Sequence, residues 1–263
     1  MAPDVDIALG NLSSVGRVRE RNEDYFGYFA PADAVAKKGR LFVVADGMGG
    51  ETAGDVASRL AVETVHEAYF ADAGDDLTAA LRASLQAANR VIYDRARTQP
   101  EGTRMGTTCT ALVVRDDLAH VAHVGDTRAY LIRAGAMTRL TSDHSLAQSG
   151  RANVLTRALG IDATVNVDVV DPPLPVSRGD RFLLCSDGLW GHVEDAELLR
   201  MVMANPDLQT ACRDLVALAN ERGGRDNITV QLVRIGAAAD AGEAAPPPRP
   251  GLLAVFRRLL GAA

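Results

Sequence analysis

Hydrophobic residues along this 263-residue chain follow strand and helix patterns from residue 5 to residue 235. Continuous or alternating apolar runs predict strands at 5–12, 41–46, 165–170, 181–186 and 227–235, and three more within 107–141. Helical spacing predicts helices at 53–70, 76–97, 194–204 and 207–222. Many strands with two pairs of helices predict an α+β fold in which sheets are covered by helices.

The composition changes after Ile235, where an Ala, Pro and Gly-rich stretch begins. We therefore expect a folded domain over 1–236, a linker over 237–250 and a separate tail over 251–263. The tail reads GLLAVFRRLLGAA, with apolar residues at helical spacing and two arginines. It is either an amphipathic segment for a partner or membrane surface, or a disordered or loosely docked end.

Charge and cysteine content narrow the functional class. The formal net charge is −6, which gives no general attraction to nucleic acid. The three cysteines are scattered and form no CxxC pair, so neither a zinc site nor a disulfide framework is indicated. The N-terminus has no secretory pattern and no apolar stretch is long enough to span a bilayer. These features predict a cytoplasmic protein.

Acidic residues recur where apolar strands end, next to glycine or asparagine. The four sites are Asp46 in VVADGMGG, Asp126 in AHVGDTRAY, Asp187 in LLCSDGLW and Asp226 in GGRDNITV. Each could be an ordinary Asp-Gly turn on its own. Four such sites after apolar strands favour a different interpretation, in which carboxylates converge and cations separate their charges. Carboxylate and carbonyl oxygens are the ligands that Mg²⁺ and Mn²⁺ prefer.

Two further carboxylates, Glu23 and Asp24 in RVRERNEDYF, accompany these four. The whole ordered set of motifs resembles the type-2C metal-dependent protein phosphatases, in particular their compact bacterial members. The resemblance covers roughly residues 7–235. The matching segments are RVRERNEDYFGYF, LFVVADGMGGETAGDVAS, GTTCTALVV, AHVGDTRAYLIR, LTSDHS, LTRALG, LLCSDGLWGHV and GRDNITVQLV.

The resemblance implies two antiparallel sheets packed as a sandwich and flanked by helix pairs, with two Mn²⁺ or Mg²⁺ ions at one end. It implies that Asp46 bridges the two ions and that the Gly47 carbonyl and Glu23 contact the first ion. Asp187 and Asp226 would hold the second ion. The remaining implied roles belong to Asp126, which with Asp187 would form a weaker third site, and to Arg19, which would grip the substrate phosphate.

The implied reaction is hydrolysis of phosphoserine and phosphothreonine by a water or hydroxide between the two ions. The implied partners are phosphorylated proteins, namely a bacterial Ser/Thr kinase and its substrates, and the chain is expected to act as a monomer. Two alternatives stay open at this point. One is a non-catalytic phosphoprotein-binding module on the same fold. The other is a nucleotide-binding enzyme, although DGMGGETAG lacks both the P-loop and the dinucleotide spacing.

Three places depart from the family pattern. Met48 stands where eukaryotic members carry a histidine, and Glu51 stands where bacterial members usually carry one. The segment between Ser145 and Leu155 is short, and Ser145 and Ser149 are its available hydroxyls. The short segment predicts an open substrate groove and a weakly held third ion.

Overall fold

The computed structural model describes residues 6–49, 53–99, 105–146 and 154–236. The strands within these ranges are β1 (Ile7–Ser14), β2 (Asp24–Phe29), β3 (Arg40–Gly49), β4 (Met105–Thr107), β5 (Cys109–Arg115), β6 (Leu118–Val124), β7 (Arg128–Arg133), β8 (Ala136–Arg139), β9 (Ser145–Leu146), β10 (Val154–Leu155), β11 (Asp168–Val169), β12 (Leu174–Pro175), β13 (Arg181–Cys185) and β14 (Ile228–Ile235). The helices are α1 (Val35–Lys38), α2 (Ala53–Ala71), α3 (Leu77–Ala96), α4 (Asp187–Trp190), α5 (Asp195–Ala204) and α6 (Leu208–Glu221).

Most of these strands form two antiparallel sheets. The first sheet has the order β1-β14-β13-β7-β8. The second has the order β11-β6-β5-β3-β2, with β12 pairing β6 and β4 pairing β3. Strands β9 and β10 pair separately. Between β7 and β8, Ala134 and Gly135 both have positive φ, which is the backbone of a tight hairpin turn with the natural twist of the strands.

Three apolar clusters define four layers. Phe42 and Leu112 of the second sheet pack with Phe182 and Val233 of the first, so one cluster lies between the sheets. A second cluster joins α2 and α3 to the outer face of the second sheet. A third joins α5 and α6 to the outer face of the first sheet. The predicted sandwich flanked by helix pairs is confirmed.

Most predicted elements are present, with shifts at their ends. The predicted strand at 165–170 is reduced to Asp168–Val169, which pair with His123 and Ala122 of β6. Strand β2 was not predicted, since DYFGYF carries a glycine and no clear alternation. None of the helices in the described ranges combines the length and apolar character that crossing a membrane requires. The linker and tail lie outside the described residues.

Candidate active site

Asp46 lies near the end of β3, directly after the buried run 41–45. Two threonines fix its backbone. The Asp46 N–H donates to Thr108 Oγ1 at 2.9 Å, and Thr107 Oγ1 donates to the Asp46 carbonyl at 2.8 Å. The Thr108 N–H donates to the same carbonyl at 2.9 Å. Because its backbone is held in this way, the Asp46 carboxylate projects from a rigid position.

Gly47 follows in a position that only glycine can occupy. A Cβ there would lie 2.1 Å from the Gly54 carbonyl oxygen and 2.6 Å from the Glu23 carbonyl oxygen. The Gly47 N–H donates to the Glu23 carbonyl at 3.1 Å. This close approach brings the segment with Glu23 against the end of β3.

Asn227 ties the N-terminal loop to the start of β14. Its amide nitrogen donates to the carbonyls of Val15 at 2.9 Å and Arg21 at 2.8 Å. Its amide oxygen accepts from the Glu23 N–H at 2.7 Å. The Asn227 N–H donates to Asp226 Oδ1 at 2.9 Å. Asn227 therefore positions Glu23 through its side chain and the neighbouring Asp226 through its backbone N–H.

Asp24 lies opposite Asp46 in the β2–β3 register and is buried. Ser186 Oγ donates to Asp24 Oδ2 at 2.7 Å, and the Thr229 N–H donates to Ser186 Oγ at 2.9 Å. Asp24 Oδ1 has no hydrogen-bond partner among the described residues. Burial raises the pKa of Asp24 to about 7, against the hydrogen bond from Ser186, and the charge of Asp187 adds to the rise.

Asp126 and Asp187 lie close enough to influence each other. Burial and, to a smaller extent, the charge of Asp187 raise the pKa of Asp126 to about 7. Burial and the charge of Asp226 raise the pKa of Asp187 to about 6, against a hydrogen bond with Asp46. Asp187 Oδ1 is buried and has no partner among the described residues. Burying a carboxylate oxygen without a hydrogen-bond partner costs free energy unless a proton or a cation binds to it.

Asp46 is the centre of the group. Burial raises the pKa of Asp46 well above its usual range, and the charges of Asp24, Asp187, Asp126 and Asp226 each raise it further. Burial also raises the pKa of Glu23. Of the candidate ligands from the sequence, Asp126, Asp187 and Asp226 thus lie close enough to act on Asp46, and the Glu23 segment lies against the end of β3. Crowded, desolvated carboxylates fit divalent cations, whose charge removes the repulsion.

The carboxylates do not form a closed cage. Within the part of the chain that the structure describes, no three His, Cys, Asp or Glu side chains are arranged to hold a metal ion by themselves. Mg²⁺ usually keeps several waters and takes only one or two carboxylates from the protein. The donor set fits an open mode of binding, in which waters complete the coordination of each ion.

Arg19 lies at the rim of the group. Its Nη2 donates to Asp226 Oδ2 at 2.7 Å, and half of its side chain is exposed. A guanidinium held beside the carboxylates but open to solvent can reach an incoming phosphate and bind two of its oxygens.

Several residues that organise the site were not identified from the sequence. Thr108 and Asn227 act through backbone bonds to residues 62 and 204 positions away. Trp190 donates from its indole to the Asp126 carbonyl at 3.0 Å. Only their motif context could have pointed to them. Glu51 and residues 147–153 lie outside the described residues, so the prediction of an open groove stays a prediction.

A cavity of about 520 Å³ has none of the candidate ligands in its lining. It is lined by His123 and Val121 of β6, by residues 137–142 and by 168–170. Burial lowers the pKa of His123 to about 4, so this histidine is neutral at physiological pH. His123 and Asp168 are the only His, Cys, Asp or Glu residues in its lining, and among the described residues no three such side chains could hold a metal ion together.

Comparisons with known proteins agree with this geometry. The sequence model of a family described as Protein phosphatase 2C matches residues 16–232. A serine/threonine phosphatase stp of Listeria innocua is 36% identical over 237 residues, covering 83% of this chain and 92% of the relative.

Two solved structures are similar in fold. PppA, described as a key regulatory component of T6SS in Pseudomonas aeruginosa, superposes with a TM-score of 0.76 at 36% identity, covering 87% of this chain and 97% of that chain. The catalytic domain of the serine threonine protein phosphatase PstP in complex with two manganese ions gives a TM-score of 0.73 at 33% identity, covering 89% and 99%.

Proposed function

Because this chain belongs to the protein phosphatase 2C family, it is a metal-dependent serine/threonine protein phosphatase, and we propose which of its residues carry the reaction. Asp46, the Gly47 carbonyl and Glu23 would hold one ion. Asp187 and Asp226, with Asp46, would hold the other. The observation that supports this assignment is the convergence on Asp46, whose pKa all the neighbouring aspartates raise.

The protein's own contributions are positioning and charge. When bound, two divalent ions supply the activation of the attacking water near neutral pH. Arg19 binds the phosphate oxygens with its planar guanidinium and orients the phosphorus for in-line attack. Its bond to Asp226 holds it at the rim before substrate arrives. The buried cysteines 109, 185 and 212 are free thiols with no role in this chemistry.

The reaction and the free cysteines indicate the cellular setting of the protein. We propose that the chain acts in the cytoplasm as a monomer on phosphoproteins, and that it opposes a Ser/Thr kinase. Free cysteines fit a reducing compartment. We also propose that the catalytic domain ends near residue 236, where the Gly236 N–H closes the β1 edge by donating to the Asp6 carbonyl. No observation favours the non-catalytic alternative.

The test is hydrolysis of a phosphothreonine peptide with Mn²⁺, Mg²⁺ or EDTA. We expect metal-dependent activity that Asp187→Asn reduces by more than the roughly 10- to 100-fold loss typical of a change outside the ligand shell. Asp94→Asn, an exposed aspartate on α3, is the matched control and should keep full activity. A phosphotyrosine peptide measures selectivity.

Equal activity in the Asp187 variant would show that these ligands are wrongly assigned. Phosphopeptide binding without hydrolysis, in folded protein supplied with metal, would favour the binding-module alternative instead.

A further inference from the structure

Trp190 is the single tryptophan of the chain and the last residue of α4. Asp187 is the first residue of the same one-turn helix. The indole N–H of Trp190 donates to the Asp126 carbonyl at 3.0 Å. One rigid turn therefore connects two carboxylates that are 61 positions apart in the sequence, Asp126 and Asp187.

The face of the same indole carries a cation. The Arg128 guanidinium lies 3.6 Å from the centre of the Trp190 ring, at the distance of a strong cation–π contact. Arg128 also binds Asp143 with two parallel bonds, at 3.0 Å from Nε and 2.7 Å from Nη2. The indole is thus fixed in orientation by the loop that contains Asp143.

That loop holds the residue before Asp126 as well. The His144 N–H donates to the Gly125 carbonyl at 2.7 Å, and the Gly125 N–H donates to His144 Nδ1 at 3.0 Å. Gly125 has a φ of 110°, so this turn needs glycine. Together with the indole, these bonds hold the backbone of 125–126 from two sides. All of them go to backbone atoms, which leaves the Asp126 carboxylate outside the network.

We propose that Trp190 is a positioning residue that fixes Asp126 relative to Asp187, so that the two carboxylates together take a third divalent ion. The proposal rests on the proposed function, in which Asp187 also serves the second ion. The competing interpretation is that Trp190 only packs against the apolar cluster on the outer face of the first sheet, where its ring is partly buried. The two interpretations differ in what the N–H contributes.

The test separates the N–H from the ring by counting bound Mn²⁺. Trp190→Phe keeps an aromatic ring and removes the donor. Tyr69→Phe is the matched control, because it removes a buried aromatic donor to the Lys38 carbonyl, bonded at 2.7 Å on the other side of the fold. Asp126→Asn removes a ligand of the third ion. Free Mn²⁺ is measured by electron paramagnetic resonance during titration of the metal-free full chain.

We expect the wild type and Tyr69→Phe to bind two ions tightly and a third more weakly. Trp190→Phe should keep the two tight ions and weaken the third by about threefold to tenfold, the effect of one lost hydrogen bond. Asp126→Asn should lose the third ion. A third ion bound by Trp190→Phe as tightly as by the wild type would overturn the proposal. Equal weakening of all three ions would also overturn it, since that result assigns Trp190 to general stability.

The indole itself provides a second measurement that needs no tryptophan variant. Because the Trp190 N–H donates to the Asp126 carbonyl, binding of an ion to the Asp126 carboxylate should change the indole emission. Mg²⁺ titration of the wild type should show this change with the affinity of the third ion. Asp126→Asn should lose that change. Emission that follows only the tight ions would overturn the proposal. Absence of any Mn²⁺ binding to the wild type would instead contradict the proposed function.

Discussion

Metal binding should displace protons from this protein in a strongly pH-dependent way. The pKa is about 7 for Asp126 and about 6 for Asp187 in the metal-free fold. At pH 6.0 these values leave roughly 0.9 and 0.5 of a proton on the two carboxylates, and at pH 8.0 roughly 0.1 in total. Because a ligating carboxylate must be ionised, saturating Mg²⁺ should release about 1.4 protons from these two carboxylates at pH 6.0 and almost none from them at pH 8.0. Asp46, whose pKa is also raised, adds to the release.

Isothermal titration calorimetry in two buffers of different ionisation enthalpy measures this release directly. Asp126→Asn should lower the number at pH 6.0 by about 0.9, since that carboxylate then carries no proton to lose. Asp94→Asn should leave it unchanged. Proton release that is equal at the two pH values, or absent at pH 6.0, would refute the argument that burial and mutual repulsion keep these carboxylates protonated.

Three other perturbations test parts of the same structure. Gly47→Ala should abolish phosphopeptide hydrolysis in a folded protein, because its Cβ would meet a carbonyl oxygen at 2.1 Å; circular dichroism checks the fold. Thr108→Val should lower the free energy of unfolding by about 1–3 kcal/mol in urea, since the Asp46 N–H loses its acceptor. Asp72→Ala should lower the free energy of unfolding more than Lys38→Met, because it leaves the buried Lys38 ammonium with the Gly74 carbonyl and no carboxylate; equal losses would contradict this.

The sequence predicted those parts of the fold that depend on local pattern. The run 41–46 is apolar because β3 is buried on both faces, so both the strand and the aspartate at its end could be read directly. Helices α3 and α6 were predicted within one residue at each end, and both start at an aspartate that caps the first turn. The aspartates of the site could be identified because each follows an apolar strand and stands next to glycine or asparagine.

The features that could not be predicted from the sequence depend on tertiary contacts. SDGLW looks like a turn, yet in the structure it forms the one-turn helix α4. The contact between Trp190 and Asp126 joins residues 64 positions apart, and no local pattern encodes it. Strand β2 depends on pairing with β3 and not on its own composition. Such features are set by which surfaces meet, so periodicity alone could not predict them.

The fold holds several carboxylates in positions where their ionised forms are unfavourable. Asp24, Asp126 and Asp187 are each raised in pKa by burial, which means that their ionised forms destabilise the folded chain. Threonine, asparagine and tryptophan side chains hold the surrounding backbone, and so the carboxylates cannot move apart. In the metal-free protein the folded state binds more protons than the unfolded state between about pH 4 and 7, and the free energy of unfolding therefore falls as pH rises through that window. A divalent cation removes the same repulsion without a proton. Stability near neutral pH and catalytic competence consequently depend on one event, the binding of metal to a cluster that the backbone keeps assembled.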